Sequence, residues 1–172
     1  MNKRKYEVFM SFRGEDTRAT FTSHLYAALQ NAGIIVFKDE ESLPRGDKIS
    51  DSLVLAIEQS EISVVVFSTN YADSRWCLQE LEKIMYCRRT IGQVVLPVFY
   101  DVDPSQVRNQ TGHFGESFQN LSNRILKEDD DEKAVREGES DKGYMMCRVF
   151  INRWRNVLRE AAGISGVVVL NS

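Results

Sequence analysis

Trp76 and Glu80 are the residues whose types and spacing point most directly to chemistry. They are four positions apart, so a helix through this segment places both on one stripe. An aromatic face beside a carboxylate can hold a cationic ring and a ribose. The pair follows the apolar run 62–67, which has the composition of a buried strand. Ligands of open parallel sheets bind where such strands end and the next helices begin.

Taken singly, each of the two residues also has a plain structural explanation. A glutamate on a helix is more often solvated than functional, and a tryptophan near a helix start is most often core or rim packing. Their position behind a strand end raises the expectation of a site. The spacing alone does not establish one.

Other catalytic signatures do not fit the sequence. Neither G-x-x-x-x-G-K-[ST] nor G-x-G-x-x-G occurs, which excludes a P-loop and a Rossmann fingerprint. The predicted third strand ends in Phe67 and Ser68, where a phosphoacceptor receiver domain needs an aspartate. The two histidines, His24 and His113, are not placed for a catalytic triad. His24, on the outer side of the first predicted helix, fits a surface or interface position.

Length and charge restrict the class of protein. The 172 residues carry a net charge of −3, which argues against a protein that binds nucleic acid by neutralising phosphates. No apolar stretch approaches the roughly 20 residues that cross a bilayer, and the first residues lead into a strand, so we expect neither a membrane span nor a secretory signal. Three cysteines without C-x-x-C spacing indicate reduced thiols and no metal site.

Strand-like and helix-like segments alternate along most of the chain. Strands are predicted at 6–12, 34–37, 62–67 and 94–100. The helices between and after them carry these apolar faces: Phe21, Leu25, Leu29 and Ala32; Ile49, Leu53 and Ile57; Cys77, Leu81 and Ile84; Phe114, Phe118, Leu121 and Ile125; Phe150, Trp154, Val157 and Ala161. The expected fold class is α/β, a flavodoxin-like open parallel sheet in the order 2-1-3-4-5 with helices on both faces.

Three local details stay open in the sequence. Either Asp73 or Ser74 is the N-cap of the helix that carries Glu80. Pro97 cannot donate to a ladder, so it should lie at a bulge or at an unpaired position of the fourth strand. The fifth strand lies either at 144–147, before the last helix, or in the tail at 167–170.

A charged stretch departs from the alternation. Five consecutive acidic residues begin at Glu128 and open a segment that extends to about residue 142. Because neighbouring carboxylates repel one another, this segment is interpreted as a mobile surface insertion. A divalent-cation site there is the less favoured alternative.

Several ordered motifs resemble those of plant-type Toll/interleukin-1 receptor (TIR) domains, which stand at the N-terminus of intracellular NLR disease-resistance receptors. The matching segments are YEVFMSFRGEDTR at 6–18, FKDE and LPRGD within 37–47, residues 68–81, LPVFYDVDP at 96–104, GHFG at 112–115, WRNVL at 154–158, and 161–166. The resemblance covers essentially residues 6–166. It implies one TIR domain over 1–166, with 167–172 beginning a linker or forming a short terminal strand. The charged stretch at 128–142 is longer than the family usually carries.

The resemblance implies an enzyme, an NAD+ glycohydrolase. Many such domains hydrolyse NAD+ at the nicotinamide–ribose bond, and their catalytic glutamate, in the motif W-C-x-x-E-L, corresponds to Glu80. NAD+ or NADP+ is then the substrate, and no cofactor is implied. The substrate-binding residues that the resemblance indicates are Phe12, Arg13, Gly14, Lys38, Asp39, Ser68 and Trp76.

The resemblance also implies self-association through two distinct faces. The loop 38–47 is expected to reach the site of a neighbouring protomer, so catalysis would depend on oligomerisation. Ser23 and His24 match a self-association face formed by the first and last helices, and a second face uses the helix after Gly112. Other TIR domains are further candidate partners, and the expected location is the cytoplasm, with the nucleus as a second compartment. The alternative function is a non-catalytic TIR–TIR interaction scaffold.

Overall fold

Five parallel strands form one sheet in the order β2-β1-β3-β4-β5. The structure is a computed structural model that describes residues 4–38, 48–135 and 140–171. The strands are β1 (Tyr6–Phe12), β2 (Val36–Lys38), β3 (Ser60–Phe67), β4 (Val94–Tyr100) and β5 (Val167–Val169). This order and the helices on both faces confirm the predicted fold class.

Helices make the connections between the strands. They are α1 (Gly14–Thr17), α2 (Ser23–Asn31), α3 (Asp51–Glu58), α4 (Arg75–Ile91), α5 (Pro104–Asn109), α6 (Gly112–Val135) and α7 (Ser140–Ala162). A π-helical segment, Arg18–Thr22, joins α1 to α2, and a 3-10 turn, Tyr71–Asp73, precedes α4. The connection from β1 to β2 runs along the sheet in one direction, and all later connections run in the other. Because each crossover is right-handed, α2 lies on one face and the other long helices lie on the opposite face.

Two apolar cores lie on the two faces of the sheet. The larger core joins strand residues such as Phe9 and Phe67 to α3, α4, α5, α6 and α7, and we call this side the α4 face. The smaller core joins residues such as Met10 and Val66 to partly buried residues of α2, and we call this side the α2 face. The strands are apolar on both sides because helices cover both faces.

The first helical segment differs from the single helix predicted through Phe21, Leu25, Leu29 and Ala32. Thr20 has φ −129° and ψ −105°, so the chain is kinked there, and the regular part is Ser23–Asn31. Three of the four predicted apolar residues pack against the smaller core: Phe21, Leu25 and Leu29. Ala32 instead follows the helix as its C-cap and is exposed. Gly33, with φ 79°, lets the chain turn towards β2.

Pro97 lies inside β4 without the predicted bulge. The register between β3 and β4 passes through the pair Val65 and Pro97 without interruption. Pairing between β4 and β5 begins only at Val98, and the carbonyl of Pro97 lies against Gly166, the residue before β5. The bulge is therefore wrong, and an unpaired position on the β5 side is correct.

The fifth strand lies in the tail, which decides between the two predicted positions. Because β5 follows α7, the last helix belongs to the crossover from β4 to β5 and packs on the α4 face. Its predicted inner residues Trp154, Val157 and Ala161 are buried. Phe150 is 37% exposed, and Ile151 takes the buried position at that end.

The acidic stretch is helical over its first part. Helix α6 continues to Val135, so residues 128–131 belong to this helix. Glu128 contacts Arg75 at 2.8 Å. The mobility of the stretch stays a prediction. Among the helices of the described residues, none is long and apolar enough to cross a membrane.

Candidate active site

Helix α4 begins directly behind the end of β3. Ser74 is its N-cap, because its Oγ accepts a hydrogen bond from the N–H of Cys77 at 3.2 Å. The Sγ of Cys77 lies 3.6 Å from the carbonyl oxygen of Phe12, which ties the first turn of α4 to the end of β1. Trp76 and Glu80 follow within the first two turns, on the stripe that their spacing predicts.

Glu80 is the buried carboxylate of this region, with only 2% of the residue exposed. Carboxylates are almost never this buried in folded proteins. Its helix neighbours Leu81 and Ile84 belong to the larger core, as predicted. A buried carboxylate costs stability that an apolar side chain would not, so the position indicates a role beyond packing.

Tyr71 joins the end of β1 to the start of α4. Its hydroxyl lies 2.8 Å from the Oγ of Ser11 and donates to the carbonyl of Cys77 at 3.1 Å. Burial raises the pKa of Tyr71 well above its usual value; nearby Cys77 and Glu80 raise it further, and the hydrogen bond with Ser11 opposes them. Glu80 follows Cys77 by three residues on α4, so it lies one helical turn beyond the carbonyl that Tyr71 binds.

Trp76 forms the rim of the site. It is partly buried and packs against the larger core, so part of its surface still meets solvent. The neighbouring Gln79 accepts a hydrogen bond from the backbone N–H of Ile49 at 2.8 Å. This bond anchors the chain to α4 just after the segment 39–47.

The residues at the end of β1 have different orientations. The ring of Phe12 belongs to the smaller core, on the α2 face, and its carbonyl faces α4. The side chain of Arg13 is 19% exposed and contacts Glu15 at 3.2 Å. Its buried Nε has no hydrogen-bond partner among the described residues. Gly14 is buried as the first residue of α1.

Ser68, at the end of β3, binds other parts of the protein. Its hydroxyl donates to Asp16 at 2.5 Å, and the backbone and side-chain N–H groups of Asn70 donate to the same carboxylate at 2.9 and 3.0 Å. Ser117 of α6 donates to the side-chain oxygen of Asn70 at 3.1 Å. Sequence reasoning missed Asp16 and Asn70; polar residues directly after an apolar strand were the available signal. A substrate contact by Ser68 stays a prediction.

Lys38 ends β2 on the opposite side of the sheet from Glu80. Its Nζ lies 4.4 Å from the ring centroid of Tyr26, which belongs to α2. Asp39 and the rest of the loop to Asp47 lie outside the described residues. The structure therefore does not bring Lys38 to the carboxylate of its own chain.

The predicted self-association residues lie at the start of α2. Ser23 donates to the carbonyl of Thr20 at 3.0 Å, and His24 is exposed. The first and last helices were expected to form one face. They lie on opposite sides of the sheet, because α7 precedes β5 and packs on the α4 face. The expectation of a joint face formed by α2 and α7 is wrong.

A separate groove of about 900 Å³ lies on the outer side of α4, between α3, α6 and α7. Glu80 is not part of its lining. Ion pairs connect the helices around it: Arg75 with Glu128, Arg89 with Glu160 and Arg153 with Glu82. Within the described part of the chain, no group of three or more acidic, histidine or cysteine side chains is placed to hold a metal ion.

Curated relatives of this chain are disease resistance proteins. It is 50% identical over 161 residues to disease resistance protein RPV1 of Vitis rotundifolia, covering 94% of this chain and 10% of that protein. It is 48% identical over 161 residues to TMV resistance protein N of Nicotiana glutinosa, covering 94% of this chain and 12% of that protein. The chain thus spans about a tenth of the length of these relatives.

A solved structure shares both the fold and much of the sequence. The TIR domains in the activated Roq1 resistosome, which directly recognises the pathogen effector XopQ, superpose with a TM-score of 0.76 at 43% identity. The match covers 95% of this chain and 87% of that chain. A family model described as the TIR domain matches residues 5–133, which is most of the sequence. The chain therefore belongs to the TIR domain family.

Proposed function

We propose that this domain is the NAD+-hydrolysing signalling domain of a plant immune receptor and acts when copies of it self-associate. The observation that carries the proposal is the burial of Glu80 in the second turn of α4, at the edge of the sheet where β1 and β3 end. Sites of open α/β sheets lie at this edge. The disease resistance relatives supply the immune context. The proposed location is the cytoplasm, with the nucleus as a second compartment.

One carboxylate is enough for the proposed reaction. The bond between ribose C1′ and the pyridinium nitrogen breaks, and its electron pair neutralises the nitrogen of the leaving nicotinamide. Positive charge then develops on the ribosyl group, where the carboxylate of Glu80 stabilises it. Water adds to C1′ and loses one proton, so the products are ADP-ribose, nicotinamide and a proton. Glycosidases use two carboxylates because their leaving groups need an acid, and nicotinamide does not.

Arg13 and Trp76 are the substrate-binding residues with the best structural support. The guanidinium of Arg13 is next to the end of β1, and its buried Nε has no hydrogen-bond partner among the described residues, so its N–H can donate to a phosphate oxygen of the dinucleotide. The solvent-facing part of Trp76 can stack on a ring of the substrate. The other proposed contacts are made by Phe12, Gly14, Lys38, Asp39 and Ser68.

Self-association is proposed to complete the site. Lys38 lies on the α2 face, so it reaches a carboxylate on the α4 face only if that carboxylate belongs to a neighbouring copy. The exposed His24 is the proposed contact residue at one of two faces. The assembled TIR domains of the Roq1 resistosome support association of this kind. Other TIR domains are proposed partners as well.

The test compares two glutamates of the same helix. Glu80→Gln keeps the side-chain size and removes the charge, whereas Glu82→Gln changes a residue that faces the groove and pairs with Arg153. NAD+ loss in concentrated domain is expected to fall at least about 100-fold in Glu80→Gln and to persist in Glu82→Gln. Thermal unfolding of both variants checks that the fold is intact.

The outcome also separates the enzyme from the scaffold. If wild type and Glu80→Gln consume NAD+ at the same rate, Glu80 is not the catalytic residue. If neither consumes NAD+ while the domain still associates and signals, the domain is a scaffold. The burial of Glu80 favours the enzyme, because a contact surface uses exposed side chains.

A further inference from the structure

The segment 68–74, which connects β3 to the first turn of α4, is held by side chains from two other helices. Asp16 contacts it from α1, and Arg124 contacts it from α6. The segment contains Ser74, the cap of α4, and Tyr71, whose hydroxyl binds the carbonyl of Cys77 one turn before Glu80. Its conformation therefore sets where α4 begins.

Asp16 fixes the first half of the segment. Its Oδ2 accepts hydrogen bonds from the hydroxyl of Ser68 and the backbone N–H of Asn70, and its Oδ1 accepts one from the side-chain amide of Asn70. Both oxygens thus bind donors of the chain itself, and hydrogen bonds to a charged acceptor are stronger than those between neutral groups. Asp16 is arranged to hold the loop.

Arg124 fixes the second half of the segment. One nitrogen of its guanidinium donates to the carboxylate of Asp73 at 2.7 Å, and another donates to the backbone carbonyl of Asp73 at 3.0 Å. The planar guanidinium therefore fixes both the side chain and the backbone of the residue just before the cap, Ser74. The Arg124 side chain is 52% exposed, and exposed ion pairs contribute little to global stability.

We propose that Asp16 and Arg124 are positioning residues for the reaction at Glu80. They hold the segment 68–74 between α1 and α6, and this fixes Tyr71, the cap of α4 and the carboxylate of Glu80 relative to the end of β1. The inference rests on the proposed function. A displacement of about 1 Å at a reacting group can lower a rate about 100-fold, so loosening this segment lowers turnover.

The experiment uses variants that remove each contact separately in the intact chain. Asp16→Ala and Arg124→Ala remove the two clamps, and Arg124→Lys keeps the charge without the paired geometry. Lys127→Ala, an exposed change one turn later on α6, is the matched control. The readouts are amide hydrogen exchange over residues 69–80, thermal unfolding, sedimentation, and kcat and KM for NAD+.

Both alanine variants are expected to exchange about 10-fold faster at amides of the segment and the first turn of α4. Their kcat is expected to fall about 10-fold to 100-fold; KM is expected to change less than about two-fold in Arg124→Ala and to rise as well in Asp16→Ala, which also releases Ser68. Arg124→Lys is expected to lie between wild type and Arg124→Ala, and Lys127→Ala to match wild type. Sedimentation should show unchanged assembly in all variants.

Hydrogen exchange separates failure of this inference from failure of the proposed function, because it does not depend on NAD+. Turnover by wild type, together with unchanged exchange and kcat in both alanine variants, overturns the positioning role alone. A fall in activity that only follows the loss of folded protein overturns it as well. A wild-type domain that leaves NAD+ intact overturns the proposed function and with it any role of these residues in turnover.

Discussion

The two faces of the sheet carry different parts of the proposed site. On the α4 face, Glu80 and Tyr71 are buried, and Tyr71 is connected to β1 by its hydrogen bond with Ser11. On the α2 face, Lys38 lies over an exposed helix, and His24 faces solvent. The carboxylate is buried within one chain, whereas the cation proposed to act with it lies on the other side of the sheet. This difference is the structural reason to expect that two copies must meet.

The faces also differ in how completely they are covered. The five helices α3 to α7 pack on the α4 face, and their residues form one continuous core. On the α2 face, helix α2 has no fully buried residue, and Val94 and Val167 stay exposed beyond it. Changes on the α4 face should therefore affect chemistry or stability, and changes on the α2 face should affect association.

The largest expected effect comes from changing one residue on each face and varying the domain concentration. Glu80→Gln should stay at least about 100-fold below wild type at every concentration, because the chemistry is lost. His24→Ala should be about 10-fold less active in dilute solution and should approach wild type when concentrated, because only association is weakened. The measurement is the rate of NAD+ loss per domain across the series, with sedimentation as the control.

A His24→Ala variant that associates normally but reaches a lower plateau would contradict this division. It would mean that a residue on the α2 face acts on turnover itself. If the activity of Glu80→Gln recovered at high concentration, this division would also be contradicted, because more association cannot replace a missing carboxylate.

Tyr71→Phe tests whether the α4 face is held by the polar cluster as well as by apolar packing. The change removes the hydroxyl that contacts Ser11 and donates to the carbonyl of Cys77, and it keeps the ring packed 5.1 Å from Phe67. The free energy of unfolding should fall by about 1–3 kcal/mol. Urea unfolding at pH 8 measures it, and the double variant with Ser11→Ala should recover part of the loss.

The raised pKa of Tyr71 predicts that the stability difference between wild type and Tyr71→Phe changes in alkaline solution. The pKa of Tyr71 is raised above its ordinary value of 10.0 in the folded state, chiefly by burial. Below pH 10 both states keep the proton, so its contribution to stability is complete. Above pH 10 the unfolded chain ionises first, and the contribution is lost as the pH rises towards the folded pKa. The stability difference between wild type and Tyr71→Phe should therefore shrink between pH 10 and 11. A constant difference would contradict the raised pKa.

Local patterns were enough to predict the strands and the place of Glu80. Apolar runs mark β1, β3 and β4, and helical spacing puts Glu80 on the stripe after Trp76. The contact of Asp16 with Asn70 was not predicted, because it joins α1 to a loop residue 54 positions further along the chain. The sequence shows that these side chains are polar; only the packing of α1 against the end of β3 shows that they meet.

The errors in helix faces have a related cause. Phe150 and Ile151 are neighbours, and both fit an apolar stripe within the tolerance of a helical period. The position of α7 against the larger core decides in favour of Ile151. The break at Thr20 and the place of β5 after α7 likewise depend on tertiary packing, which overrides local preference.

The smallest expected effect is partial recovery of activity when two inactive variants are mixed. Lys38→Met keeps the aliphatic stem over Tyr26 and removes the charge, and Glu80→Gln removes the carboxylate. If each site takes Glu80 from one copy and Lys38 from its neighbour, about a quarter of the sites in an equal mixture contain both residues. The mixture should then reach about a quarter of wild-type activity, although each variant alone is inactive. A mixture no more active than its components would mean that no site combines Lys38 of one copy with Glu80 of another. The separation of the two residues on opposite faces would then not explain why activity requires association.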